Sequence, residues 1–283
     1  MTWPGLSEGT RWVDLLLVSI LAAGLFTGSF GNAGRWRSLR LRVCIGVMIV
    51  LCGTGGLIAQ TLSVAGEASI GALDWSIVQI VAFETSFGQA WLLRQSAGVL
   101  VIFLSFFGSS AIVAWAIYLP LAITLALFGH PVAASSPFLT LTANCIHLIG
   151  LSLWGGGLLA LTTATASERP FQHLALFSRV ATRLVVGVTI TGAGLIWLIT
   201  PSLTGLVSSA YGWLLFLKLG LFGTIGLVAW KNHRMVRSWK EMDSSAGSQR
   251  DWAGLNRRVR WELVGIILII GVAVWMGGQS LPE

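Results

Sequence analysis

Charge is what this sequence lacks most: Asp, Glu, Lys and Arg make up 10% of its 283 residues, against 55% hydrophobic. A soluble domain carries about 25% charged residues, so a water-facing globule is excluded. Cysteine is scarce too. Cys44, Cys52 and Cys145 all fall inside apolar stretches with no CxxC pair, which excludes a disulfide framework and a thiolate zinc motif. Beyond the initiator the methionines are Met48, Met235, Met242 and Met276, and only Met276 falls near an outer surface within an apolar span. A thioether ladder for soft metals is therefore absent. No Walker motif, HExxH helix, GxSxG elbow or dinucleotide fingerprint occurs, so neither a hydrolase nor an ATP-driven pump is expected, and the chain is read as a non-enzyme. The net charge of +7 raises a nucleic-acid partner only to lose it, because the basic residues fall between apolar spans.

What the sequence has is long hydrophobic runs, and bilayer hydrocarbon needs about 20 apolar residues per helix. Runs near 12–31, 43–63, 92–108, 110–129, 138–163, 182–200, 213–231 and 261–280 predict an all-α polytopic membrane protein of eight transmembrane helices. Gly108-Ser109-Ser110 reads as a tight turn, and Pro120 as a tolerated kink. The N-terminus has no basic n-region or cleavage site before its apolar run, so it reads as a first helix, not a signal peptide. Basic residues set the topology. The first-to-second, fifth-to-sixth and seventh-to-eighth connections hold four, three and eight of them, fifteen of the 18 Lys and Arg. The positive-inside rule puts these connections in the cytoplasm and both chain ends outside.

The whole chain, 1–283, reads as one membrane domain. Residues 66–91 form an outer connection in which Trp75, Val78, Ile80, Val81 and Phe83 alternate with Asp74, Gln79 and Glu84, the pattern of an interfacial amphipathic helix. Residues 232–260 are expected as a cytoplasmic loop, most flexible over 241–254. Trp3, Trp12, Trp75, Trp91, Trp213, Trp239, Trp252 and Trp261 sit near span ends, as an aromatic belt requires.

Ionisable groups inside hydrocarbon are expensive, and each needs an account. His147 lies about 13 Å deep if its helix enters near Phe138, at 1.5 Å per residue. Its face-mates are Asn144, Leu151 and Trp154, and Gly155-Gly156-Gly157 follow to permit close packing. Cys145 falls on another face, which argues against a shared ion. His130 stands at the outer end of the fourth span, beside the start of the fifth, so the two imidazoles are placed to approach one another. Imidazole suits copper, zinc, iron and nickel. The plain alternatives are a water-exposed helix end for His130 and an interhelical hydrogen bond for His147. His173 and His233 read as solvated loop residues. Lys218 is expected to snorkel outward or to pair with Glu84 or Asp14, and Glu262 to pair with a loop arginine. Two histidines on facing helices also fit axial ligation of a haem, in a redox or assembly protein.

Several stretches in one order resemble the CopD family of bacterial inner-membrane copper proteins: TSFGQAWLLR (85–94), GH (129–130), HLIGLSLWGGGLLAL (147–161), LFSRVATR (176–183), YGWLLFLKLG (211–220) and RRVRWE (257–262). The resemblance covers about 85–283. It implies an eight-helix protein of the bacterial inner membrane that moves copper from periplasm to cytoplasm, supplied by a separate CopC-like periplasmic donor. It implies His130 and His147 as candidate metal ligands, with Met276 and Cys145 weaker candidates. Thr85, Gly88, Arg94, Trp154, Gly156, Lys218 and Glu262 are motif positions whose roles the resemblance leaves open, as it does those of a copper-binding sensor or scaffold that does not transport.

Overall fold

The computed structural model describes residues 3–30, 36–67, 69–128, 136–163, 171–200, 203–241 and 248–279. Among them are ten α-helices and no strand: α1 (Trp3–Phe30), α2 (Leu39–Ala65), α3 (Trp75–Phe83), α4 (Ser86–Ser105), α5 (Ala111–Leu125), α6 (Pro137–Thr163), α7 (Phe171–Ile199), α8 (Leu203–Ser208), α9 (Ala210–Glu241) and α10 (Ser248–Gly277). Seven of these, α1, α2, α4, α6, α7, α9 and α10, are long and apolar enough to cross a bilayer. Large apolar side chains such as Ile112, Phe138, Ile190 and Trp197 stand exposed along the helices. A soluble monomer does not show so much apolar surface. The protein is an all-α polytopic membrane protein.

The span expected over 110–129 is the 15-residue α5. It rises about 22 Å, less than the ~30 Å hydrocarbon thickness, because the chain leaves the helix in a turn at Ala126 and Leu127. The turn before it is as the sequence suggests: Gly108 has φ +95°, and the Ser110 side chain accepts from Val113 N–H at the start of α5. Arg42 of α2 closes the same turn from the side. It is 4% exposed and donates to the carbonyls of Gly108 and Ser105 at 2.7 and 3.1 Å, which leaves those carbonyls no need of water.

The segment 232–260 departs from expectation. It is helical at 232–241 and again from Ser248, with 242–247 outside the described residues. Val236 on α9 and Leu255 and Val259 on α10 are buried together, so an apolar seam continues beyond the spans and holds the helices in register. The outer connection contains α3, started by Asp74, whose carboxylate accepts from Ser76 N–H at 2.8 Å. Val78, Val81 and Ala82 pack on Leu57 of α2, while Trp75, Ile80 and Phe83 face outward.

Two buried cores flank a central pair of helices. One joins α1 with α2, α4 and α5; the other joins α1 and α6 with α7, α9 and α10. Close contact of α1 with α6 depends on Gly156, where a Cβ would meet Ser19 O and Ala22 Cβ at 2.6 Å.

Candidate functional site

A cavity of about 470 Å³ opens between the two cores. Its wall takes the N-terminal parts of α1, α4, α6 and α9 and the C-terminal parts of α2, α5, α7 and α10. It therefore sits at one end of the bundle, and Arg37, Arg42, Arg234 and Arg258 belong to the other.

His147 lines this cavity from α6. Its Nδ1 lies 3.0 Å from the Val188 carbonyl of α7 and 3.2 Å from Thr191 Oγ1. A carbonyl only accepts, so Nδ1 carries the proton and donates, which leaves the Nε2 lone pair of the neutral ring unpledged. Gly192 makes room for the ring, since a Cβ there would stand 3.1 Å from His147 Cε1. The interhelical hydrogen bond and the cavity thus occur together. This is how a ligand imidazole is held, with one nitrogen fixed so that the other is aimed.

Met276 of α10 also lines the cavity, as does Cys52 of α2. Cys145 is a free thiol outside that lining. His130 lies outside the described residues. Among the described residues no group of three or more His, Cys, Asp or Glu is gathered as for a metal ion. Asn144, one turn before His147, lines the cavity and gives its Nδ2–H to the Ala126 carbonyl at 3.2 Å, tying α6 to the end of α5.

The charged residues fall differently from expectation. Asp14 pairs with Arg94 at 3.2 Å, not with Lys218. Arg94, 1% exposed, also donates to the Leu121 carbonyl and Thr124 Oγ1, so it knits α1, α4 and α5 into one wall. Lys218 lines the cavity from α9. Among the described residues no loop arginine pairs with Glu262; Asn232 Nδ2 of α9 donates to its carboxylate inside the bundle. Arg258, one turn earlier on α10, is directed to Met235 Sδ at 2.7 Å instead. His233 is a helix residue bonded to Ser178 of α7, not a solvated loop group.

The remaining motif positions have local roles. Thr85 caps α4, accepting from Gly88 N–H at 3.0 Å and donating to the Val81 carbonyl at 2.6 Å. Gly88 abuts the Val81 and Ala82 carbonyls so closely that no Cβ fits. Trp154 is buried and meets Phe222 edge to face, with ring centroids 6.3 Å apart. Sequence patterning does not single out Cys52 and Gln60, although Cys52, Gly56 and Gln60 follow at i, i+4 and i+8 and so form one stripe on the cavity wall.

Comparison with known proteins fits this arrangement. A family model described as Copper resistance protein D-like, N-terminal domain, matches residues 9–139, and one described as Copper resistance protein D matches residues 171–276. The chain belongs to the CopD family. The two ranges correspond to the helices on either side of α6, and His147 falls between them. The chain is 26% identical over 263 residues to Copper resistance protein D of Pseudomonas syringae pv. tomato, covering 81% of each chain. It is 25% identical over 242 residues to Copper transport protein CutJ of Bacillus subtilis (strain 168). That match takes in 79% of this chain but spans only 42% of the relative's length. No solved structure matches. Family and surface together make this a multi-pass membrane protein in contact with lipid.

Proposed function

We propose that the protein carries copper across the bacterial inner membrane, from periplasm to cytoplasm, as a transporter and not an enzyme. Eight crossings are needed, α5 serving as the short one, with both chain ends outside. The copper resistance and copper transport names of its relatives support the cargo. The excess of basic residues at the end away from the cavity supports the orientation. The observation that carries the reading is His147, with Nδ1 pledged to Val188 and Nε2 left for an ion in a cavity that also holds Cys52 and Met276. Imidazole, thiolate and thioether are all ligands for copper.

His147 is the ligand at depth, and His130 is the outer one, nearest a separate CopC-like donor. Lys218 shares the cavity and opposes a bound cation. That weakens the hold, and a carrier must bind firmly enough to admit an ion yet weakly enough to release it. The test is copper accumulation by cells and by sealed vesicles. His147→Ala should abolish it while leaving folded protein in the membrane. Unchanged accumulation would remove the reading, and binding without vesicle uptake would make the protein a sensor or scaffold. A Soret band in the purified protein would instead mark a haem between the histidines.

A further inference from the structure

A second cavity, of about 170 Å³, lies toward the arginine-rich end between α6, α7, α9 and α10. Trp154 lines it, Phe222 lines the first cavity, and the edge-to-face contact of these two rings stands between them. His233 and Glu262 also line it.

His233 is held by the same helix as His147, through hydroxyls in place of a carbonyl. Its Nδ1 lies 2.8 Å from Ser178 Oγ and 3.4 Å from Thr182 Oγ1, both on α7. Thr182 gives its own proton to the Ser178 carbonyl, so its oxygen can only accept from the ring. The Ser178 hydroxyl can serve either tautomer of the ring; with the proton on Nδ1, donated to these two oxygens, Nε2 presents its lone pair. Glu262 is 3% exposed, and its recorded partner is the neutral amide of Asn232. Among the described residues no ion pair involves it, and Arg258 is engaged with Met235. A buried carboxylate facing a neutral partner is costly, and a cation would offset that cost.

We propose that this cavity is a second metal site, in which a transition-metal cation binds between His233 Nε2 and the Glu262 carboxylate after passing the Trp154–Phe222 contact. The passage rests on the reading of the first cavity as the outer copper site; the second site itself does not. Imidazole and carboxylate are harder donors than the sulfur ligands of the first cavity and hold soft Cu(I) less firmly. The order of donors therefore favours release toward the arginine-rich end.

The full chain, purified in detergent under reducing conditions, is titrated with Cu(I) against a chromophoric chelator. Glu262→Gln keeps the shape and the Asn232 partner, and His233→Asn keeps a group to bond Ser178. Each should bind one ion fewer per chain than the wild type. His147→Ala should lose a different ion, so that His147→Ala combined with Glu262→Gln loses both. If Glu262→Gln and His233→Asn both elute as folded protein and keep wild-type stoichiometry and affinity, the inner site is overturned. If one variant aggregates, the other decides. Loss of an ion in Glu262→Gln with none lost in His147→Ala would sink the outer site and leave the inner one standing.

Discussion

Arg94 and Asp14, eighty residues apart in the chain, meet at 3.2 Å inside the bundle with Arg94 only 1% exposed. Among the described residues, one carboxylate oxygen, Asp14 Oδ1, and one guanidinium nitrogen, Arg94 Nη2, have no further partner, so each charge depends chiefly on the other. Removing one partner strands the other. Asp14→Ala or Arg94→Ala should each cost about 3–5 kcal/mol, while Asp14→Asn combined with Arg94→Gln should cost less than either. Thermal denaturation in detergent measures this, and a double variant that costs more than either single one would contradict it.

Gly156 and Gly194 make a matched pair for testing the central helix contact. A Cβ at Gly156 would press on Ser19 and Ala22 of α1, whereas at Gly194 nothing lies within 4 Å. Gly156→Ala should therefore lower stability by about 1–3 kcal/mol through overpacking, and Gly194→Ala should leave it level or slightly raised. Equal melting temperatures for the two variants would refute the close crossing of α1 and α6.

Gly192 offers a way to move the His147 ring without removing it. Gly192→Val places atoms against Cε1 and should disturb the Val188 hydrogen bond. Copper affinity should fall by about 10- to 100-fold, the usual cost of losing support behind a metal ligand. The number of ions bound should stay the same, which competition titration reads directly. A change in stoichiometry with unaltered affinity would point to some other role for the ring.

The cap on α3 carries a pH dependence. Hydrogen bonds from the Ser76 hydroxyl and N–H hold the Asp74 carboxyl below its ordinary 3.8. A depressed value in the folded state means the stabilisation is present above 3.8 and disappears as pH falls through the lower folded value. Amide exchange over 75–83 should quicken in that acid range, and Asp74→Ala should quicken it at neutral pH. Exchange in Asp74→Ala matching the wild type would show that the cap does not hold the helix.

The bundle was legible because hydrocarbon imposes a length and an apolar composition on each crossing, and chain after chain of about 20 such residues carries that mark. His147 was legible for the complementary reason: a polar group inside an apolar run stands out. Partner choice was not. Asp14, Arg94 and Lys218 each interrupt a run near the same end, and sequence spacing cannot say which two helices touch. The pairing of Asp14 with Arg94 follows from α1 and α4 both packing against α5. The helical course of 232–241 and 248–260 was hidden because basic residues there resemble a loop, while the buried seam of Val236, Leu255 and Val259 declares itself only when the two helices lie side by side. The same effect concealed the partners of two residues the sequence does name, Asn232 for Glu262 and Ser178 for His233.

The helix α7 anchors both imidazoles, His233 through Ser178 and His147 through Val188. Ten residues of helix separate the two anchors, about 15 Å. Much of the rod's remaining surface faces outward, Val186, Ile190 and Trp197 among it. A rigid displacement of α7 would therefore carry both rings with it, so a single element ties the two ends of the protein's interior to the surface beside it.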